Sequence, residues 1–240
     1  MASAMMTTAG SEAPSMQTPG PILLLGAPGV GKGTQARRLM DAWHVPQIST
    51  GDILRDNVAR GTELGVTAKA LMDRGELVPD GLVNTMVAAR LEEGDTHRGY
   101  IFDGYPRTLE QARWLDRHFA EAAERTLPLL AVTIRVSDAS LLRRLTGRRT
   151  CPVCRQIYNI YTQPPTQDGI CDVEGAALVQ RDDDKEAIVI ERMKAYEQLT
   201  APEIEHYRAQ QRYAEVDGEQ DVDRVFADLV AELGRLRGPQ

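Results

Sequence analysis

A short apolar run, Ile22-Leu23-Leu24-Leu25, ends in the glycine-rich turn Gly26-Ala27-Pro28-Gly29-Val30-Gly31-Lys32, and helical periodicity begins directly after it. Nothing else in the chain constrains its fold as tightly. The apolar run reads as a buried strand, and Ala36, Leu39, Met40 and Trp43 recur at helical spacing. Between them the glycines let backbone N–H groups converge on an anion. The helix N-terminus adds partial positive charge, and Lys32 reaches outward from it. A strand, a phosphate-cradling loop and a helix form the first half of a right-handed crossover, so a parallel sheet is expected.

The rest of the chain repeats that alternation. Strands are expected at 45–48, 100–103, 129–136 and 213–216. Helices are expected at 52–60, 63–74, from Pro79 through Leu91, at 109–123, 140–149 and 222–236, with one long helix over 184–210. The fold class is therefore α/β, a three-layer core of the P-loop NTPase type around a five-stranded parallel sheet. The stretch Thr150–Val179 breaks the pattern. It holds Pro164-Pro165 and all three cysteines, has no helical period, and reads as an inserted module. Residues 1–20 have neither a basic nor an apolar signal region and read as a flexible, disordered tail.

The 240 residues suit one core carrying insertions, and a net charge of −7 argues against a general nucleic-acid binder. No early apolar run approaches the length a bilayer requires, so no membrane partner is expected. An odd count of three cysteines argues against a disulfide framework and suits a reduced, cytoplasmic protein. Only four of the 28 basic residues are lysine, and the other 24 are arginine, whose planar fork matches phosphate.

The residue after Lys32 is Gly33, where a standard phosphate loop carries the hydroxyl that holds Mg²⁺; the hydroxyl comes one later, at Thr34. This argues against a generic nucleotide-hydrolysing switch. Asp103 ends an apolar strand and can face phosphates from the sheet edge. Three ordered motifs, Gly26–Ala36, Ile48-Ser49-Thr50-Gly51-Asp52-Ile53-Leu54-Arg55 and Asp103-Gly104-Tyr105-Pro106-Arg107-Thr108, together resemble adenylate kinase. The similarity runs from about Pro21 to Leu236.

That resemblance implies reversible transfer of the terminal phosphoryl of Mg-ATP to AMP, giving two ADP and balancing the adenine nucleotides. It implies an ATP site at Gly29, Gly31, Lys32, Gly33, Thr34, Arg144, Arg148 and Tyr158. It implies an AMP site at Thr50, Gly51, Arg55, Glu76, Leu77, Val78, Gly104, Arg107 and Gln111, with Arg181 and Arg192 near the exchanged phosphates. The catalytic group would be Lys32, Asp103, Arg107, Arg148, Arg181 and Arg192. Arg144 and Arg148 are four apart and are expected on one face of the 140–149 helix. Asp183 and Asp184 match positions near a hinge, although an acidic run also suits a solvated helix start.

By the same resemblance the core is 21–48, 79–146 and 185–240, with an AMP-binding segment at 49–78 and a lid at 147–184. The chain resembles the long-lid, zinc-type bacterial form and would act as a monomer. Cys151-Pro152-Val153-Cys154 and Cys171 supply three zinc ligands, and Glu174 sits where a second Cys-x-x-Cys would place the fourth. Any such zinc would be structural. A metal-free lid with three buried thiols is the other reading. Two further functional readings stand beside the main one: a kinase for another nucleotide pair, and a nucleotide-binding sensor without catalysis.

Overall fold

The central strand β1 (Gly20–Leu25) is buried along its whole length, as the middle of a sheet covered on both faces must be. The computed structural model describes residues 19–121 and 127–238. Most of the expected tail and the end of the helix expected at 109–123 therefore lie outside the described residues. Gly20, expected to close the tail, is instead the first residue of β1.

After β1 the chain forms α1 (Lys32–Trp43), β2 (Gln47–Ser49), α2 (Thr50–Arg60), α3 (Glu63–Met72), α4 (Asp80–Leu91), β3 (Gly99–Asp103), α5 (Leu109–Glu121) and β4 (Leu130–Arg135). It continues through α6 (Asp138–Thr146), β5 (Arg148–Thr150), β6 (Ile157–Asn159), α7 (Glu186–Ala195), α8 (Ala201–Ala209), β7 (Tyr213–Asp217) and α9 (Val222–Arg237). Five strands pair in the order β2-β3-β1-β4-β7, all parallel. β5 and β6 form a separate antiparallel pair.

Side chains of β1 alternate between the two faces. Ile22 and Leu24 pack with Leu39 and Trp43 of α1 and Leu229 and Leu233 of α9. Leu23 and Leu25 pack with Tyr105, Leu115 and Tyr207 on the other side. The result is the expected three-layer α/β core. From β1 the chain crosses to β2 and returns through β3 on one side, then passes to β4 and β7 on the other, so the strand order switches at β1. A crevice therefore opens at the carboxyl end of β1, where the glycine-rich loop lies.

Two helices end differently from expectation. The helix expected at 140–149 stops at Thr146 and is capped by Gly147, after which Arg148 enters β5. A side chain at Gly147 would meet the Tyr161 ring at 2.5 Å, so only glycine fits where the helix gives way to β5. Arg144 and Arg148 consequently do not share a helix face. The long helix expected over 184–210 runs without a gap from Glu186 to Ala209 as α7, a π turn at Tyr196–Thr200 and α8, and a 3₁₀ turn at Asp182–Asp184 precedes it. Pro202 has no N–H to give to a preceding turn, and the Ala201 N–H reaches back to the Tyr196 carbonyl.

Candidate active site

The crevice above β1 is a cleft of about 870 Å³. Gly29, Gly31, Lys32, Gly33 and Thr34 line its floor. Gly31 opens α1 at φ 105°, a conformation only glycine adopts without strain. The Lys32 ammonium donates to the carbonyls of Gly26 at 2.7 Å and Ala27 at 3.0 Å. Burial pushes its pKa down to about 8; Asp103 pulls it back up, while Arg107, Arg192 and Arg148 push it further down. Asp103 accepts from the Gln47 amide at 2.9 Å through Oδ2. A Cβ on residue 33 would stand 3.3 Å from that same oxygen. Glycine at 33 thus gives the Asp103 carboxylate its room beside the loop.

Arginines crowd the opposite wall. Arg148 grips Asp184 with two charged hydrogen bonds, Nε to Oδ2 at 2.7 Å and a terminal nitrogen to Oδ1 at 2.6 Å. Arg192 donates to the same Oδ1 at 3.2 Å, to the Asp183 carbonyl at 2.7 Å, and pairs with the Asp183 carboxylate at 3.0 Å. Asp184 is 0% exposed, which corrects its reading as part of a solvated helix start. Burial opposes the Arg148 charge, but Asp184 outweighs it and raises the pKa. Burial lowers Arg107 to about 10, with Arg192 adding to the effect and Asp103 opposing it. Burial, then Arg148 and Arg55, bring Arg181 to about 10 as well. Guanidinium groups held together against their own repulsion form a field that favours a polyanion.

The other expected ATP residues divide. Arg144, on α6, lines the cleft and donates to the Gly218 carbonyl at 2.8 Å. Tyr158 also borders the cleft, but its ring is buried and its hydroxyl contacts the Cys171 sulfur at 3.5 Å. That hydroxyl serves the cysteine cluster.

A smaller cavity of about 60 Å³ opens beside the cleft. Thr50, Gly51, Arg55, Glu76, Leu77, Val78, Gly104, Arg107, Gln111 and Arg192 all border it, while Arg181 borders the large cleft only. Three of its arginines, Arg55, Arg107 and Arg192, border both spaces. Thr50 donates its hydroxyl to the Gly104 carbonyl at 2.7 Å, which joins the start of α2 to the turn after β3. Arg55 pairs with Asp52 at 2.6 Å. The Gln111 amide accepts from the Arg107 N–H and donates to Asp80, each at 2.7 Å. Its side chain braces the arginine turn, a role its place in the motif did not reveal.

Cys151, Cys154 and Cys171 bring their sulfurs within 4.8 Å of one another, with Cys154 and Cys171 at 3.6 Å. Two turns of the same design hold them. The Arg155 N–H donates to the Cys151 carbonyl and the Cys151 N–H to Gln156; the Gly175 N–H donates to Cys171 and the Cys171 N–H to Ala176. Arg155 and Gly175 occupy matching left-handed positions, φ 61° and 66°. Glu174 therefore holds in the second turn the place that Cys154 holds in the first. Its carboxylate is not among the gathered ligand atoms, but its N–H donates to the Cys171 sulfur. Burial disfavours the Cys171 thiolate, yet donors from Tyr158, Glu174 and Val173 bring its pKa down to about 7. Three preassembled sulfurs with a stabilised thiolate fit a tetrahedral, soft metal such as zinc.

A glycine-rich loop at the switch point of a parallel sheet, joined to a cluster of buried arginines, defines a P-loop α/β protein built for phosphate groups. The family model of adenylate kinase matches residues 24–212. The adenylate kinase of Petrotoga mobilis is 49% identical over 87% of this chain and 94% of its own. Those of Thermodesulfovibrio yellowstonii and Archaeoglobus fulgidus are 47% and 44% identical, over 88% and 90% of this chain and 98% and 99% of theirs. The chain belongs to the adenylate kinase family.

Proposed function

We infer that this protein transfers the terminal phosphoryl group of Mg-ATP reversibly to AMP, giving two ADP. The observation that carries the reading is the sharing of Arg55, Arg107 and Arg192 between the two spaces. Phosphates entering from either side meet at the same guanidinium groups, which is the geometry an in-line transfer needs. The large cleft takes ATP on Gly29, Gly31, Lys32, Gly33 and Thr34, with Arg144 and Arg148 above it. The small cavity takes AMP on Thr50, Gly51 and Arg55, against the 76–78 wall, with Gly104, Arg107 and Gln111 on its far side.

The attacking AMP phosphate oxygen is already anionic, so the transfer needs no general base. Lys32, Arg107, Arg148, Arg181 and Arg192 stabilise charge on the equatorial oxygens, and Asp184 holds two of these arginines so that they need not reorganise. Mg²⁺ bound with ATP would supply charge neutralisation, and Asp103 and Thr34 are the oxygen donors beside the loop that would hold it.

The segment 49–78 and the lid at 147–184 close over the core at 21–48, 79–146 and 185–240, excluding water from the transferring group. Zinc in the lid, held by Cys151, Cys154 and Cys171 with Glu174 turning in as fourth ligand, would be structural. We take the enzyme to act as a cytoplasmic monomer that balances adenine nucleotides; its free cysteines suit a reducing compartment. Among the described residues no helix is long and apolar enough to cross a membrane. The acceptor is tested by supplying AMP, CMP, UMP and GMP in turn with Mg-ATP. Diphosphate formation with AMP far above the others supports the reading, and preference for another monophosphate overturns it.

A further inference from the structure

Glu203 lies on α8 directly after Pro202, and none of its surface is exposed. Neither carboxyl oxygen has a hydrogen-bond partner among the described residues. Buried acids are almost always partnered, because an unpaired one is costly. This one stands in the wall of the large cleft, with Lys32, Arg107 and Thr200.

The local backbone puts it there. The π turn at Tyr196–Thr200 resets the helical phase, so Glu203 and Tyr207, four apart on α8, are the buried pair. The Thr200 hydroxyl donates to the Arg107 carbonyl at 2.8 Å, fixing this turn against the one that carries the arginine. The Tyr207 hydroxyl is also without a partner. Around Glu203 stand two cations, Lys32 from α1 and Arg107 from the turn after β3, and three phenols, Tyr105, Tyr196 and Tyr207. Asp116 of α5 and Arg212 also act on the Tyr207 phenol.

We propose that Glu203 is a positioning residue of the phosphate site whose proton is coupled to occupancy: a neutral acid beneath bound phosphates, and a carboxylate only in the empty cleft. The inference rests on the phosphoryl-transfer reading of the same cleft. An ionised Glu203 competes with phosphate for Lys32 and Arg107. Nucleotide entry expels that charge by drawing one proton from solvent onto the carboxylate. Burial, the largest influence, holds the carboxyl well above its ordinary range, and Arg107 and Lys32 pull the other way less strongly, so phosphates that engage those two cations favour the neutral acid further.

The test compares kcat/KM for ADP formation between wild type and Glu203→Gln across neutral to alkaline pH. Glutamine keeps the neutral shape and cannot ionise. The variant-to-wild-type ratio is expected to climb by about threefold to tenfold as pH rises, the scale of one removed charge near two cations. A packing role alone would leave that ratio flat, and a flat ratio overturns the proposal. Proton uptake on ADP binding, read by calorimetry in two buffers of different ionisation heat, is a second measure that Glu203→Leu also serves. Wild type should take up more protons than either variant, and equal uptake overturns the proposal. A wild type that shows this uptake but forms no ATP from ADP sinks the phosphoryl-transfer reading and leaves the Glu203 coupling standing.

Discussion

Replacing Asp184 with asparagine removes one charge and keeps the shape. Asp184 accepts from Arg148 at 2.6 and 2.7 Å and from Arg192 at 3.2 Å, and it is 0% exposed. Asparagine offers one acceptor oxygen and turns an N–H₂ donor toward a guanidinium, so at least one of the paired bonds to Arg148 is lost. Breaking a buried ion pair from one side costs about 3–5 kcal/mol. Here both arginines keep some exposure to the cleft, 16% and 15%, and water takes part of the loss. A loss of about 2–3 kcal/mol is therefore expected, or roughly 4–12 °C in Tm for a chain of this size. The kinetic effect should be larger in proportion. Two guanidinium groups lose their fixed orientation while keeping their charge, and kcat/KM should fall about 100-fold, the lower end for removing a preorganised donor. Thermal unfolding and coupled ADP assays on the purified variant read both quantities. A kcat/KM within about threefold of wild type, with Tm unchanged, would refute the view that Asp184 preorganises the clamp.

Lys32 predicts an alkaline limb. Its pKa in the empty cleft is about 8, against 10.5 unperturbed, so kcat/KM should decline as pH rises through about 8, where free enzyme loses the charge that meets phosphate. The same shift means the folded state binds fewer protons between those values, so the Lys32 contribution to stability rises with pH from about 8 to 10.5 and is lost as pH falls through 8. A pH–rate profile without that decline contradicts it. Arg107→Ala should raise the AMP KM and lower kcat together, since Arg107 borders both spaces; steady-state kinetics showing a KM effect alone would remove it from the transfer step. Metal analysis should find one zinc per chain, and a chelator should lower the Tm of the lid transition. Glu174→Ala should weaken zinc retention, and a metal-free protein of equal stability would end the zinc reading.

The strand–loop–helix start, the five strands and the inserted module were legible because each has a local signature: an apolar run, a glycine-rich turn, or a loss of period. The arginine motifs were legible because their neighbours are ordered along the chain. What escaped depends on contacts that local patterns do not carry. Gly147 ends α6 against the Tyr161 ring, so the four-residue spacing of Arg144 and Arg148 misled. Asp184 sits in an acidic run whose solvated appearance hides its burial between two arginines. Glu203 is harder still. Ile204 and Tyr207 are the large apolar residues of α8, yet after the π turn the buried pair is Glu203 and Tyr207. Gln111 and Tyr158 lie in the expected region, yet their polar atoms turn to the protein itself.

The most direct measurement is the stoichiometry of the reaction. Purified protein with ATP, AMP and Mg²⁺, followed by phosphorus NMR, should consume ATP and AMP equally and form two ADP for each pair, and pure ADP should run the reaction backward. Loss of ATP to ADP and free phosphate, with AMP untouched, would contradict the account.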